Sequence, residues 1–515
     1  MVKLRIAAAI LLTRGEGPEL EVFLAERAPG LSFFGGYQAF LGGVVERADH
    51  DGDPEAHAAL VRCAWRELFE EVGVLPRALA KLLDPAERED LRARLMTSDR
   101  VGAAAAQDFR ALLERCPELW QADSDQAPVV VGSLTTPPMA PVLYQTLFLR
   151  IELPEGESPS VIQGELVGGG FQKPQAALLS WLRGEALIVP PAVYFLSLLA
   201  RHPGAEGWRQ IQKGCASFGA GVLHEMRTQA GIWMAPLATE TLPPATTTNA
   251  YWIGTDTAYL VDPASFEPGE QARLFVWIEA RQAEGHRLAG IIATHHHHDH
   301  IGAIVPVAER YGVPVFGHPE TLERLDLGNC ETRELGDGDE LPLGRHPAEL
   351  AGAAQPREQP WVLRAYHTPG HDRGHLVLVE NAQLGAIVGD LCSTVSSILI
   401  DPPEGHLATY LGSLRRMLEV PMGLLHPAHG PVHPDGHRLL QAYLKHRAER
   451  EARILGALEI APKSLAELAD VAYDDVLPEA LPIARRALLA GLIKLAEDGQ
   501  ARELDGAWCL AGSGG

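Results

Sequence analysis

"ATHHHHDHIGA", residues 293–303, decides how the rest of the chain is read. Four histidines in a row look like a solvated, His-rich loop, and their surroundings argue otherwise. Before them, "RLAGIIAT" is a short apolar run with β-branched residues, which predicts a buried strand ending at Thr294. After them, "IGAIVPVAERYG" is small and apolar and predicts a turn into a helix. The histidines thus stand at the exit of a strand, where open α/β folds place ligand-binding groups. One register gives H-x-H-x-D-H: His295, His297, Asp299 and His300. Side chains two apart in an extended segment share a face, so His295 and His297 can hold one ion. Asp299 and His300 fall at the turn and can serve a second. Imidazole and carboxylate together are zinc-type donors. His296 and His298 point the opposite way, toward supporting or surface roles.

Three more stations follow. "YHTPGHDRGH" carries His371 in a turn with Pro369 and Gly370, "GAIVGD" ends an apolar strand on Asp390, and "LLHPAHG" offers His429. Over about residues 225–440 this set resembles the metallo-β-lactamase-fold hydrolases, in the branch of the glyoxalase II and lactamase-β-like-2 proteins. The resemblance implies an αββα sandwich and two Zn2+ or other divalent transition metals. His295, His297 and His371 would hold one, and Asp299, His300 and His429 the other. Asp390 would bridge them, with Asp299 and Asp390 at the reacting centre. Two such ions about 3.5–4 Å apart lower the pKa of a shared water to roughly 7 and polarise the oxygen under attack. Asp372 stands where the family usually has Thr or Ser, and Ala428 where Gly is common. The extra carboxylate of Asp372 would tune the site or repel an anionic substrate. His367, His375 and His426 recur near the ligands and are read as packing or substrate-side groups.

At 515 residues the chain allows about three domains. A hydrophobic share of 46% is enough for sizeable cores. The net charge of −23 argues against broad nucleic-acid or anionic-membrane binding. Six cysteines, with no C-x-x-C, fit buried thiols in a reducing, cytoplasmic setting better than a disulfide framework. No run is long and apolar enough to span a membrane. "MVKLRIAAAILLTRG" is a poor signal peptide, because Arg14 and Glu16 follow where small residues should be. It is read instead as a first strand, forming a hairpin with "EVFLAER".

The first two hundred residues carry a second chemistry. "CAWRELFEEVGV" predicts a helix, capped by Asp53 with Pro54 first and stopped at Gly73. Leu60, Ala64, Leu68 and Val72 form its core stripe. Glu67, Glu70 and Glu71, spaced i, i+3, i+4, gather on one side, and their mutual repulsion suits a hard cation. The pattern R-E-L-x-E-E-x-G-V, with "FLGG" upstream, resembles the Nudix box. Asp49 stands where the strict box has Glu, and Arg66 comes nine residues late. The stretched box, "TTPPMAPVLYQTLFL" and "GEALIVPP" resemble the coenzyme A diphosphatase branch, over about residues 3–210. Leu143 and Gln145 depart from that branch, where Arg and Asp are usual. The resemblance implies an α/β/α sandwich. In it Glu67, Glu70 and Glu71 would bind Mg2+ or Mn2+, Glu70 would be catalytic, and Arg66 would orient a glutamate.

The glycine-rich run "ARHPGAEGWRQIQKGCASFGAG" is read as a linker, with a boundary near 213. "TTTNAYWIGTDTAYLVDPAS" then reads as two strands about a Gly-Thr-Asp turn. Past 440 the chain turns helical, with a capping box at Ser464 and Glu467 and a hairpin turning at Asp505-Gly506. Three helices and a hairpin suggest a winged helix, similar to the C-terminal domain of lactamase-β-like-2 proteins. Residues 441–515 hold nine Lys/Arg against twelve Asp/Glu, which favours a cap or cleft wall over a duplex reader.

The expected architecture is therefore α/β and α+β multidomain: 1–212 Nudix-like, 213–440 metallo-β-lactamase-like, and 441–515 winged-helix-like. The expected function is metal-dependent hydrolysis of an ester, thioester or phosphodiester by the central domain. The expected substrates are small molecules, such as a coenzyme A thioester or a nucleoside diphosphate conjugate. Two alternatives stand beside it. One is a single-strand endoribonuclease, which the charge disfavours. The other is a central hydrolase regulated by a non-catalytic, ligand-sensing Nudix domain.

Overall fold

The computed structural model describes residues 4–31, 34–97, 100–121, 124, 126–140, 142–223 and 226–511. The chain forms two compact units: Met1–Ala230 with Pro347–Gln355, and Gly231–His346 with Pro356–Gly515.

In the first unit, the strands Arg5–Arg14 and Glu21–Arg27 form the expected antiparallel hairpin, with Thr13 opposite Val22. Arg5–Arg14 also runs parallel to Tyr144–Glu152 within a seven-stranded mixed sheet. Side chains alternate along a strand. Ile10 and Leu12 therefore enter one core with the helix His57–Val72. Leu11 enters a second core with the helices Pro174–Leu182, Pro190–Arg201 and Ala205–Gly219. The unit is an α/β/α sandwich. Leu60, Ala64, Leu68 and Val72 are all buried, and Gly73 stops their helix in the left-handed region at φ 72°.

Two local expectations change. The helix starts at His57 after Ala56, so Asp53 does not cap it and Pro54 is not its first residue. The Asp53 carboxylate accepts the Glu55 amide at 2.9 Å instead, a local turn that competes with helix initiation. The run read as a linker contains the helix Ala205–Gly219, and the units part after Ala230 rather than near 213. Ile211 and Cys215, one turn apart, bury themselves in the second core and outweigh the glycines around them.

In the second unit, one sheet carries Ile232–Ala238, Thr247–Gly254, Ala258–Val261, Leu288–Ile292, Val315–Gly317 and Thr332–Glu334 in that spatial order. The other carries Glu340–Gly344, Trp361–His367, Leu376–Glu380, Ala386–Gly389 and Leu425–Pro427. Tyr251 and Asn249 of the first sheet both donate to the Pro427 carbonyl of the second, at 2.7 and 2.9 Å. Tyr410, Leu411 and Leu414, with Leu440 and Tyr443, pack the helices Leu407–Met417 and Gly436–Ala457 on the second sheet. The helices Pro268–Ala283 and Ile304–Tyr311 pack on the first, completing the αββα layering. The strand before the histidines ends at Ile292, two residues short of Thr294. The Thr294 amide leaves the ladder for Asp262 Oδ1, at 2.8 Å.

At the C-terminus, Ser464 and Glu467 form the expected capping box on Leu465–Ala472. The helix Leu481–Glu497 follows, then the hairpin Ala501–Leu504 with Ala507–Leu510. Asp505 and Gly506 both take positive φ, as a two-residue turn of this kind requires. Among the described residues no helix is long and apolar enough to cross a membrane. All six cysteines are free, and five are buried.

Candidate functional site

The four stations meet at one rim of the second unit's sheets. The segment after Ile292 brings His295 Nε2 and His297 Nδ1 within 3.0 Å of each other. His371, Asp390 and His429 arrive from loops that follow three different strands. His295, His297 and His371 form one group of converging donor atoms, and Asp299, His300 and His429 form another. Asp390 lies between them. Its Oδ2 is 3.3 Å from His371 Nε2, and its Oδ1 is 3.4 Å from His429 Nε2 and 3.7 Å from His300 Nε2.

Four of the five imidazoles are aimed by their other nitrogen. Thr294 Oγ1 donates to Asp262 Oδ2 at 2.7 Å and so accepts from His295 Nδ1 at 3.0 Å. His300 Nδ1 donates to the same Asp262 Oδ2 at 2.9 Å. His371 Nδ1 donates to the Leu399 carbonyl at 2.9 Å, and His429 Nδ1 to the Thr247 carbonyl at 3.0 Å. These bonds place the proton on Nδ1 and turn the Nε2 lone pairs inward, which is how ligating histidines are held. His300 Nε2, His371 Nε2 and Asp390 Oδ1 are then buried with no well-formed hydrogen bond. Unsatisfied buried polar atoms are costly. Three of them converging, in a set of imidazoles and carboxylates, fit divalent transition metals.

The electrostatics agree. Burial favours the neutral form of His295 and holds its pKa well below the ordinary value; burial and the neighbouring imidazoles lower His297 to about 3. For His300, burial is outweighed by Asp299, Asp390 and Asp262, which push the pKa up to about 10. For Asp390, burial is outweighed by His429, His300 and His371, which hold the carboxyl well below its usual range. The carboxylates thus keep positive charge beside them.

The other histidines take supporting places. His375 Nε2 accepts the Asp390 amide at 3.0 Å, while its Nδ1 meets Thr368 Oγ1 at 2.8 Å, so it orients the bridge. Gly389 makes room for this: at φ 46°, a Cβ there would fall 2.8 Å from His375 Nε2. His426 packs edge-on against Tyr251, and His367 stacks on His318. His298 stacks on Phe266. His296 Nδ1 lies 2.5 Å from Asp372 Oδ2. Arg324 pairs with both Asp372 and Glu404. The departing carboxylate Asp372 is therefore held by an imidazole on one side and a guanidinium on the other. Asp262 and Thr294 were missed as site residues. Asp262, at φ 46°, is a non-glycine residue in the left-handed region right after a strand, but sequence offers only the pair Asp262-Pro263 as a clue.

In the first unit, Glu67, Glu70 and Glu71 stand on the helix His57–Val72 as the spacing predicts. Arg66, 3% exposed, donates to Glu67 Oε1 at 2.9 Å and Glu70 Oε1 at 3.2 Å. Its other face grips Asp49 Oδ1 at 3.1 Å and Oδ2 at 2.9 Å, so the departing Asp49 anchors the arginine. Glu71 Oε2 accepts the Gly42 amide at 2.9 Å. Burial raises all three glutamates, Glu70 to about 7 against the pull of Arg66. Among the described residues these three do not form a group with one oxygen from each within 4.8 Å of the others. The donors are of the hard oxygen type that Mg2+ takes, but they stand apart.

Comparisons with known proteins bear on the second unit. A model of the metallo-β-lactamase superfamily matches residues 243–430, and a model of the β-lactamase-associated winged helix domain matches residues 464–508. The lactamase-like protein adaB of Aspergillus niger is 28% identical over 225 residues, 41% of this chain and 59% of that protein, so less than two thirds of its length is covered. A hydroxyacylglutathione hydrolase of Halorhodospira halophila is 29% identical over 280 residues, 50% of this chain and 90% of that protein. A β-lactamase-like protein 2 homolog of Drosophila melanogaster is 24% identical over 264 residues, 50% and 84% respectively. Among solved structures, a β-lactamase domain protein from Burkholderia ambifaria aligns at 19% identity and TM-score 0.45, covering 55% of this chain and 91% of that one. A Nudix hydrolase from Alicyclobacillus acidocaldarius aligns at 24% identity and TM-score 0.31, covering 40% and 95%. The chain is a mixed α/β multidomain protein with a metallo-β-lactamase domain and a C-terminal winged helix.

Proposed function

We propose that this protein is a two-headed hydrolase whose central domain cleaves an ester or thioester and whose N-terminal unit cleaves a diphosphate. The observation that carries the first half is Asp390, with one oxygen facing each histidine group. His295, His297 and His371 would hold one ion, Asp299, His300 and His429 the second, and Asp390 both. Such a pair of ions supplies an activated water near neutral pH and polarises the carbonyl. The chain's own part is positional. Asp262, Leu399 and Thr247 fix the imidazoles, and His375 fixes Asp390. The Asp299 carboxylate, less deeply buried than Asp390, orients water and takes up its proton. The likeness to a hydroxyacylglutathione hydrolase supports a small acyl substrate.

For the first unit, the Nudix-like pattern supports Mg2+ or Mn2+ at Glu67, Glu70 and Glu71, with Arg66 orienting Glu67 and Glu70. A coenzyme A thioester contains both bonds these heads would cut, and fusion would raise the local concentration of the first product at the second site. The test incubates wild type, Glu70→Gln and Asp390→Ala with an acyl-coenzyme A and follows thiol and 3′,5′-ADP separately. Thiol release should fail only in Asp390→Ala, and 3′,5′-ADP release only in Glu70→Gln. A wild type that releases neither while cleaving RNA overturns this reading. The winged helix favours that second reading, a single-strand ribonuclease, and its nine Lys/Arg against twelve Asp/Glu over residues 441–515 oppose it. A wild type that releases thiol and never 3′,5′-ADP leaves the first unit a ligand sensor, which the separated glutamates favour.

A further inference from the structure

Between the strand Ala386–Gly389 and the helix Leu407–Met417 the chain runs through residues 390–406 without helix or strand. Connections of this length in a compact domain are uncommon and carry function when ordered. This one supplies the Leu399 carbonyl that holds His371 Nδ1 at 2.9 Å. A carbonyl fixes a histidine only as well as its own segment is fixed.

The segment is gripped by two later helices, Gly436–Ala457 and Leu481–Glu497. From Gly436–Ala457, the Tyr443 hydroxyl lies 2.8 Å from the Ser393 amide and 2.7 Å from the Ser396 carbonyl. From the same helix, Arg447 donates to the carbonyl of Ile398, the residue just before Leu399. The Arg447 guanidinium also lies 5.4 Å from the centre of the Tyr410 ring. From Leu481–Glu497, Arg486 pairs with Asp401, and Glu497 accepts from His406 Nε2 at 2.8 Å. Ile398 and Ile400 are buried in one core with Tyr443, Leu440 and Ala490, so apolar packing joins the same partners. At its far end the segment returns to the site, where the His406 amide donates to the Gly370 carbonyl at 2.7 Å.

We infer that the helix Gly436–Ala457 is a clamp that aims His371, acting through Arg447 and Tyr443 on the segment that presents the Leu399 carbonyl. Arg447 and Tyr443 are positioning residues: neither faces the converging donor atoms, and their effect passes through a backbone carbonyl. The two grips from Leu481–Glu497, an ion pair and an imidazole hydrogen bond, are half-exposed and contribute little. The half-buried Arg447 and buried Tyr443 are the working contacts. The consequence is selective. Loosening Leu399 through Arg447 affects the His295, His297 and His371 group, while the imidazoles of His300 and His429 keep their anchors at Asp262 and Thr247; Tyr443 reaches further, since the Ser393 it holds also donates to the His429 carbonyl at 3.1 Å.

This inference rests on the metal-centre reading above, and its test separates the two. Full-length protein is stripped of metal and titrated with cobalt(II), followed by visible absorption and chelator competition. Wild type should bind two ions. Arg447→Met keeps the aliphatic stem and removes the donor. It should lose roughly 10–100-fold in affinity for one ion, as expected when a ligand's outer partner is removed, and bind the other as wild type does. Its residual spectrum should match that of His371→Ala, and Arg447→Lys should restore part of the loss. Should Arg447→Met not fold, Arg447→Lys carries the same comparison, because Tyr443→Phe would also loosen Ser393 and with it the His429 carbonyl. Two ions bound as tightly in a folded variant, or both weakened by the same factor, overturn the clamp and leave the metal centre standing. A wild type that binds no cobalt ends the metal centre and the clamp with it.

Discussion

The two candidate metal sites of this chain are built in opposite ways. The central one draws seven residues from four stations between 295 and 429, and its donor atoms converge with three of them left unsatisfied. The glutamate site draws three residues from one helix within five positions, and Arg66 and a backbone amide already occupy them. Closeness in sequence put carboxylates on one helix face but did not make them converge. The distant residues converge because each is carried by the end of a different strand and aimed by a partner behind it. Preorganisation here comes from the fold's rim, not from local spacing.

The most damaging change to that contrast is Asp390→Ala. It should cost more than the roughly 10–100-fold that loss of an outer partner costs, and remove at least one ion with little change in thermal unfolding. Metal analysis and thioester turnover of the folded variant read both. Next comes Asp262→Asn, which keeps a residue type tolerant of positive φ and removes the charge that holds His300 Nδ1 and Thr294. A loss of roughly 10–100-fold in metal affinity is expected, measured by chelator competition. Glu70→Gln should reduce Mg2+-dependent diphosphate cleavage and leave central turnover unchanged. If both fall together in folded protein, the two sites are not independent.

The smallest expected effect concerns pH. Burial, opposed by Arg66, raises Glu70 to about 7 from 4.5, so the folded unit binds more protons than the unfolded chain. Its contribution to stability is fullest below about pH 4.5 and is lost as pH rises through about 7. Added Mg2+ should therefore raise the unfolding temperature more at about pH 8 than at about pH 5. Equal shifts at both would detach the cation from these glutamates.

The candidate metal donors were legible in sequence because H-x-H-x-D-H and three strand-end residues carry their chemistry in residue type. The capping box at Ser464, the turn at Asp505-Gly506 and the stripe from Leu60 to Val72 were legible for the same reason. The partners behind the donors were not. Leu399 and Thr247 act through backbone carbonyls, which any residue supplies, and Asp262 is far from His300 in sequence. The helix start at His57 was misplaced because Asp53 satisfies a nearer amide, and the helix Ala205–Gly219 was hidden by its glycines.

The central claim is that Asp390 divides two ion sites. The most direct measurement is anomalous diffraction at the zinc edge from crystals grown with zinc. The account predicts two peaks about 3.5–4 Å apart on either side of Asp390. One should lie among His295, His297 and His371, the other among Asp299, His300 and His429. A single peak, or one among His296, Asp372 and Glu404 with Asp390 free, would contradict it.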